Sequence, residues 1–349
     1  MKVHKHIFDR LITPEHMFRS WEEFRKGKGS RKDVQEFEWN LEQNVMSLCR
    51  DLRGRTYRHG PYSAFTICDP KQRRIHKATV RDRVLHHAVF SLLNPIFEPT
   101  FIAHSFSCRA GKGTHKAVTA LEQWLRQVSR NNRYPCFALK CDVHQFFASV
   151  DHEILLAILG RKVKDPDMIQ LLTEIVGSFS NAMSGNERPK GIPIGNLTSQ
   201  LFANVYMNEF DQFMKHTLRI RRYIRYTDDF VIVDSEEERL EGLITVIQKF
   251  LDEELRLNLH PRKIILRTFH SGIDFLGYVL LPHHRSLRTR TKKRMFRKLK
   301  IRVASFKAGA GSEASVESSL QSYLGVLSHA NAHALSEQLR NQCWFWLKD

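Results

Sequence analysis

Between residues 137 and 143, Phe137, Leu139, Cys141 and Val143 alternate with Ala138, Lys140 and Asp142. A two-residue period predicts a half-buried strand with Lys140 and Asp142 on one face. A second apolar pattern runs Arg221-Arg222-Tyr223-Ile224-Arg225-Tyr226, breaks at Thr227-Asp228-Asp229 and resumes as Phe230-Val231-Ile232-Val233. Two strands around a short polar break predict a hairpin with two carboxylates at or beside its tip. Ser235 and Glu238 have the spacing of a capping box, and Leu240, Leu243, Ile244, Ile247, Phe250 and Leu251 continue it as an amphipathic helix. Further strands are predicted at 264–268 and 273–281, helices at 14–24 and 33–50, and one or two closing helices between Leu320 and Leu347. Strand-helix-strand units with hairpins predict an α+β sheet backed by helices.

Composition sharpens this picture at one point. The chain has 349 residues, enough for about two domains and a sizeable core. Its 55 basic and 37 acidic residues give a formal charge of +18, which points to a polyanionic partner. The excess peaks between Arg285 and Lys307, a stretch with 11 Lys or Arg and no acid, in which Phe296, Leu299 and Val303 keep a thin helical stripe. A small, polar linker follows at 308–315, and a domain boundary is placed near 283. No apolar run reaches the roughly 18 residues of a membrane span, and the six cysteines show no paired spacing. The expectation is a cytoplasmic chain with reduced thiols.

The chemistry is concentrated in three acids. Asp142, Asp228 and Asp229 sit at predicted strand ends and can converge there. Two divalent ions bridged by such carboxylates lower the pKa of an attacking hydroxyl and neutralise charge on a transferring phosphoryl group, with Mg²⁺ as the expected ion. Asp228-Asp229 alone also fits a solvated turn. The apolar flank of Tyr226 and Phe230 to Val233 argues against that, because adjacent acids in a partly desolvated place repel each other until a cation joins them.

Tyr226-Thr227-Asp228-Asp229 and the block Phe137 to Phe147 resemble the YxDD box and first catalytic-aspartate block of reverse transcriptases. Other blocks follow in that family's order: Arg73-Arg74-Ile75 with Arg81 to His86, His104 to Gly113, and Gly272-Ile273-Asp274-Phe275-Leu276-Gly277, similar to a primer-grip hairpin. The resemblance implies a right-hand polymerase fold: an N-terminal extension and fingers at 1–135, a palm at 136–282 with a fingers insertion at about 160–192, and a helical thumb at 283–349, with no room there for an RNase H or endonuclease domain as well. It implies two Mg²⁺ ions, with Mn²⁺ as a substitute, held by Asp142, Asp228, Asp229 and the carbonyl of Val143. Arg73 and Arg74 are assigned to the nucleotide triphosphate, which guanidinium forks suit. Phe147 is assigned as the steric gate against a ribose 2′-OH, with Phe146 as a core residue. Lys263 is matched to a proton donor for pyrophosphate, and Gly195 to a close backbone approach to the base pair. Arg288, Arg290, Lys292, Lys293, Arg297 and Lys300 are assigned to nucleic-acid phosphates.

The subfamily rests on Ile194-Gly195-Asn196-Leu197-Thr198-Ser199-Gln200, which resembles the [IVL]GxxxSQ box of diversity-generating retroelement enzymes rather than the QGxxxSP of group II intron and retroviral ones. Ile194, Gly195 and Gln200 are accordingly placed at the nucleotide. That resemblance implies error-prone copying of a template RNA into cDNA with errors at adenines, deoxynucleoside triphosphates as substrates, a small oligomeric helical accessory protein, and a bacterial or phage-infected cytoplasm without membrane attachment. Retron-like, group II intron-like and phage-defence enzymes, and a non-catalytic RNA-binding relic, are the alternatives. A retron-type VTG element is absent after Leu281.

Overall fold

The alternation at 137–142 is realised as the core strand of a four-stranded antiparallel sheet in the computed structural model, which describes residues 2–69, 71–180 and 188–348. Nine strands form three sheets among the described residues. β1 (Ser63–Ile67) and β2 (Arg73–Lys77) make an exposed hairpin. β3 (Phe137–Asp142), β4 (Tyr223–Tyr226), β5 (Asp229–Asp234) and β6 (Ile265–Thr268) form the central sheet in the order β4-β5-β3-β6. β7 (Ile273–Phe275), β8 (Tyr278–Leu280) and β9 (Arg285–Leu287) form a small three-stranded sheet. The result is a mixed helix and sheet architecture whose three sheets are each antiparallel among the described residues.

The central sheet is covered on both sides, so β3 is not the half-buried strand its alternation predicts. Leu139, Cys141, Phe230 and Ile232 belong to one core with the helices Leu197–Gln212 and Glu237–Leu255. Ala138, Ile224, Val231 and Val233 belong to a second core with Ala117, Val118, Leu121 and Leu125 of the helix Thr114–Val128. The second face is apolar at Ala138 and turns charged at Lys140 and Asp142, so the chemistry emerges where the packing stops. Each large apolar side chain buried here contributes about 1.5–3 kcal/mol.

Several local expectations are corrected. The predicted helix at 33–50 is two helices, Lys32–Trp39 and Leu41–Arg53, separated at Asn40 by ψ 40°, with no Gly or Pro to signal the break. Ser235 is not a helix cap: Asp234 Oδ1 accepts from the Ser235 amide (2.7 Å), and the helix starts at Glu237 with no side-chain cap. Asp234 outcompetes the serine because its carboxylate already holds the turn. The strand expected at 273–281 is the β7–β8 hairpin, turned by Leu276 (φ 48°) and Gly277 (φ 92°). The basic stretch opens as β9 and continues as the helix Thr289–Lys307, whose buried stripe is Met295, Leu299 and Val303, with Phe296 only partly covered. Ser312 caps the next helix, Glu313–Leu327, so the linker stops short of 315, and a second closing helix follows at His333–Lys348. Part of the expected insertion, 181–187, lies outside the described residues. Among the described residues the cysteines are free, and no helix is long and apolar enough to cross a membrane.

Candidate active site

Antiparallel pairing of β3 with β5 sets Asp142 directly opposite Asp229, and the two-residue link between β4 and β5 presents Asp228 beside them. One strand end and one turn therefore bring together acids that lie 86 positions apart in the chain. Asp142 is 8% exposed. The backbone locks the corner: the Val143 amide donates to the Asp228 carbonyl (3.2 Å), and the His260 amide donates to the Asp142 carbonyl (2.8 Å).

Two lysines partly offset the acids. Lys263 Nζ lies 2.7 Å from Asp142 Oδ1, and Lys140 Nζ lies 3.9 Å from Asp229 Oδ1. Burial, reinforced by repulsion from Asp229 and Asp142, pushes the Asp228 carboxyl up to about 6. Burial likewise raises Asp229, with Lys140 pulling the other way. Three acids against two lysines leave an excess of negative charge in a desolvated corner, and the donors are all hard oxygens. That set suits Mg²⁺ or Mn²⁺ in chemical type. No three His, Cys, Asp or Glu side chains form a ready-made cage among the described residues. Mg²⁺ is ordinarily held by one or two carboxylates together with substrate phosphates and water, so the protein need not supply a complete cage.

Of the three acids, Asp229 lines a cleft of about 620 Å³ together with Lys71, Arg73, Arg290, Lys293 and Arg297 among others. Arg73 thus joins the site, whereas Arg74, on the opposite face of β2, is exposed and absent from the lining. Arg288 also lines the cleft but is ion-paired with Asp274. Lys292 and Lys300 lie on the same helix outside that lining. Asp69, next to the β1–β2 hairpin, pairs with Lys298 and lies 3.9 Å from Arg294, so the hairpin reaches across to the basic helix.

Phe146 is buried in the core and Phe147 only partly. The Phe147 carbonyl accepts from the Ile192 amide (2.7 Å), which ties the loop before Ile194 to the segment that follows Asp142. Ile194 is half-buried and its carbonyl accepts from the His76 amide of β2 (3.2 Å). Gly195 has φ 129°, and a Cβ there would lie 3.2 Å from Ile75 Cγ2 and 3.4 Å from the His76 carbonyl. Its close approach in the described residues is to β2. Gln200 is exposed on the first turn of the helix Leu197–Gln212. Lys263 contacts the acid itself, a placement its sequence position did not reveal.

Sequence reasoning missed a layer of buried polar side chains behind the acids. Arg225, Asp211, Asn204 and Ser105 are all at most 3% exposed. Arg225 reads in sequence as one more cation in a basic run. Beside the 191–196 loop, the buried His86 contacts Thr198 Oγ1 (2.8 Å) and Asn196 Nδ2 (3.2 Å).

The family model for reverse transcriptase (RNA-dependent DNA polymerase) matches residues 68–280, more than half of the chain. Protein YkfC of Escherichia coli (strain K12) is 24% identical over 241 residues, covering 58% of this chain and 61% of that protein. The group II intron-encoded protein LtrA of Lactococcus lactis subsp. cremoris is 21% identical over 346 residues, covering 79% of this chain and 57% of its own length. Nuclear intron maturase 4, mitochondrial, of Arabidopsis thaliana is 28% identical over 144 residues, covering 39% and 17% respectively. The chain thus spans about three fifths of the length of the first two relatives.

Proposed function

Because the chain belongs to the reverse transcriptase family, we propose that it is an RNA-directed DNA polymerase acting at Asp142, Asp228 and Asp229. The observation that carries this reading is the convergence of three oxygen-donor acids, one of which, Asp229, lines a cleft rich in cations. Residues 1–135 would then serve as N-terminal extension and fingers, 136–282 as palm and 283–349 as thumb. Bound divalent ions would supply Lewis acidity, activating the primer 3′-hydroxyl and neutralising the transferring phosphate. Asp142 and Asp228, with Asp229 and the Val143 carbonyl, would hold those ions. Arg73 pairs with triphosphate oxygens, Phe147 closes on the 2′ position, and Lys263 is positioned to exchange a proton with departing pyrophosphate. Arg290, Lys293 and Arg297 hold the duplex through phosphates, without regard to sequence.

The box at Ile194 to Gln200 supports a diversity-generating retroelement enzyme, which copies a template RNA with errors at adenines and works with a small helical accessory protein in a bacterial cytoplasm. A second reading, a group II intron-like enzyme, is favoured by the long match to the intron-encoded relative. Mg²⁺-dependent primer extension on an RNA template, followed by sequencing of the cDNA, tests both. Extension with errors concentrated at template adenines supports the first reading, accurate extension the second, and no extension by a chain that binds primer-template overturns both.

A further inference from the structure

Arg225 is the largest fully buried side chain among the described residues. A guanidinium taken out of water is costly unless each of its donors is met. Its Nε and Nη2 donate to Asp211 Oδ1 (2.7 Å) and Oδ2 (2.6 Å), the parallel fork that guanidinium makes with carboxylate. Nη2 also reaches Ser105 Oγ (3.1 Å), and Nη1 reaches Asn204 Oδ1 (3.5 Å). The remaining donor of Nη1 points at the catalytic turn: it meets the carbonyl of Thr227 at 2.9 Å.

Thr227 is the residue immediately before Asp228, and its φ is 58°. A branched side chain rarely adopts this left-handed conformation, so the turn must be imposed from outside. Two contacts impose it. Arg225 holds the Thr227 carbonyl, and Thr227 Oγ1 donates to Ser107 Oγ at 2.6 Å. Ser107 is in turn fixed by Asn204 Nδ2, which donates to its carbonyl at 2.9 Å. The peptide entering Asp228 is thereby fixed from beneath, and the peptide leaving it is fixed across the sheet by the Val143 amide.

We infer that Arg225, held by Asp211, is a positioning residue that aims the Asp228 carboxylate at Asp142 through the carbonyl of Thr227. Its duty lies beyond stability: a buried ion pair far from any turn would anchor the helix Leu197–Gln212 to β4 equally well, but this one spends a donor on the peptide that orients the acid. The activity arm rests on the polymerase reading; the metal arm stands without it.

Arg225→Lys keeps a positive charge for Asp211 but has no fork to reach Thr227 at the same time. Its kcat for primer extension is expected to fall about 10- to 100-fold, while KM for nucleotide stays within about twofold. Thr227→Gly, which accepts the left-handed turn without strain but loses the hydroxyl contact, is expected to lose several-fold in kcat with an unchanged melting temperature. In parallel, Mn²⁺ binding to each protein without substrate, followed by the electron paramagnetic resonance of the free ion, should weaken several-fold in both variants per folded molecule. A merely structural role would lower the melting temperature and the active fraction and leave kcat per active site and Mn²⁺ affinity alone. If Arg225→Lys does not fold, Thr227→Gly decides. Wild-type kcat and Mn²⁺ affinity in a folded variant overturn the inference. A wild-type protein that binds Mn²⁺ but extends no primer overturns the polymerase reading instead, and the Mn²⁺ comparison then decides the inference alone.

Discussion

Asp142, Asp228 and Asp229 lie against the core, with backbone amides fixing Asp142 and Asp228 and lysines beside Asp142 and Asp229, whereas Arg290, Lys293 and Arg297 across the cleft stand largely in solvent. On the acid side, burial raises the pKa of two of the three groups. On the basic side, the helix buries only Met295, Leu299 and Val303 and leaves its cations at the surface. The contrast separates two kinds of function. On the proposed reading, a few charges held at high desolvation cost give directional chemistry, and each has its own effect. Many exposed charges give affinity by counterion release, and each is one of several equivalents.

The sharpest break in that contrast is the loss of a single acid. Asp228→Asn or Asp142→Asn should lower primer extension by at least about a hundredfold, the scale of removing one charge-stabilising group from a catalytic centre, while filter binding of primer-template stays near wild type. Asp229→Asn should cost less. A near wild-type rate for Asp228→Asn would remove the acids from the mechanism.

Neutralising four cations of the basic helix, Arg290, Lys293, Arg297 and Lys300, should act the opposite way, weakening binding at every sequence while kcat at saturation survives. If each meets one phosphate, the slope of log affinity against log salt should shrink by about 3 to 4. An unchanged slope places the nucleic acid elsewhere.

Ile194 tests the boundary between the two behaviours. A glutamine amide there would penalise mismatched pairs by leaving a buried polar group unmet, and about 1.4 kcal/mol of discrimination is roughly tenfold in error rate. Ile194→Gln should therefore lower errors opposite template adenine more than opposite other bases, with extension retained. Equal adenine error frequencies in cDNA from both proteins would refute this.

The smallest effect is on stability. Asp228 is raised to about 6 when folded, so between its ordinary carboxylate range near 4 and about 6 the folded state binds more protons than the unfolded chain. Without divalent ions, stability must then fall as pH rises through that window and stay lower above it. Asp228→Asn should raise the melting temperature by a few degrees at pH 8 and leave it unchanged near pH 3. Equal melting temperatures at pH 8 would show that burial does not strain this acid.

What the sequence made legible was local and periodic. The hairpin around Thr227-Asp228 and the strand ending at Asp142 follow from alternation broken by polar residues, and the same positions carry the family blocks. What it concealed depends on partners distant in the chain or on competition between neighbours. Arg225 sits in a basic run, and nothing local says that Asp211 and Ser105 will bury it. Lys263 approaches Asp142 only once β6 has paired with β3. Ser235 had the right spacing for a cap but stood next to a better acceptor in Asp234.

Ile194 is attached to β2 through its carbonyl, and the neighbouring Gly195 fits closely against Ile75 and His76, so this part of the loop is held by backbone contacts that any residue at 194 can make. Anchorage and identity are thereby uncoupled at this position. Variants differing only at 194 would keep these backbone contacts and differ in what the side chain touches, and on the proposed reading that makes 194 a place where copying behaviour can drift, or be selected, without first loosening its loop.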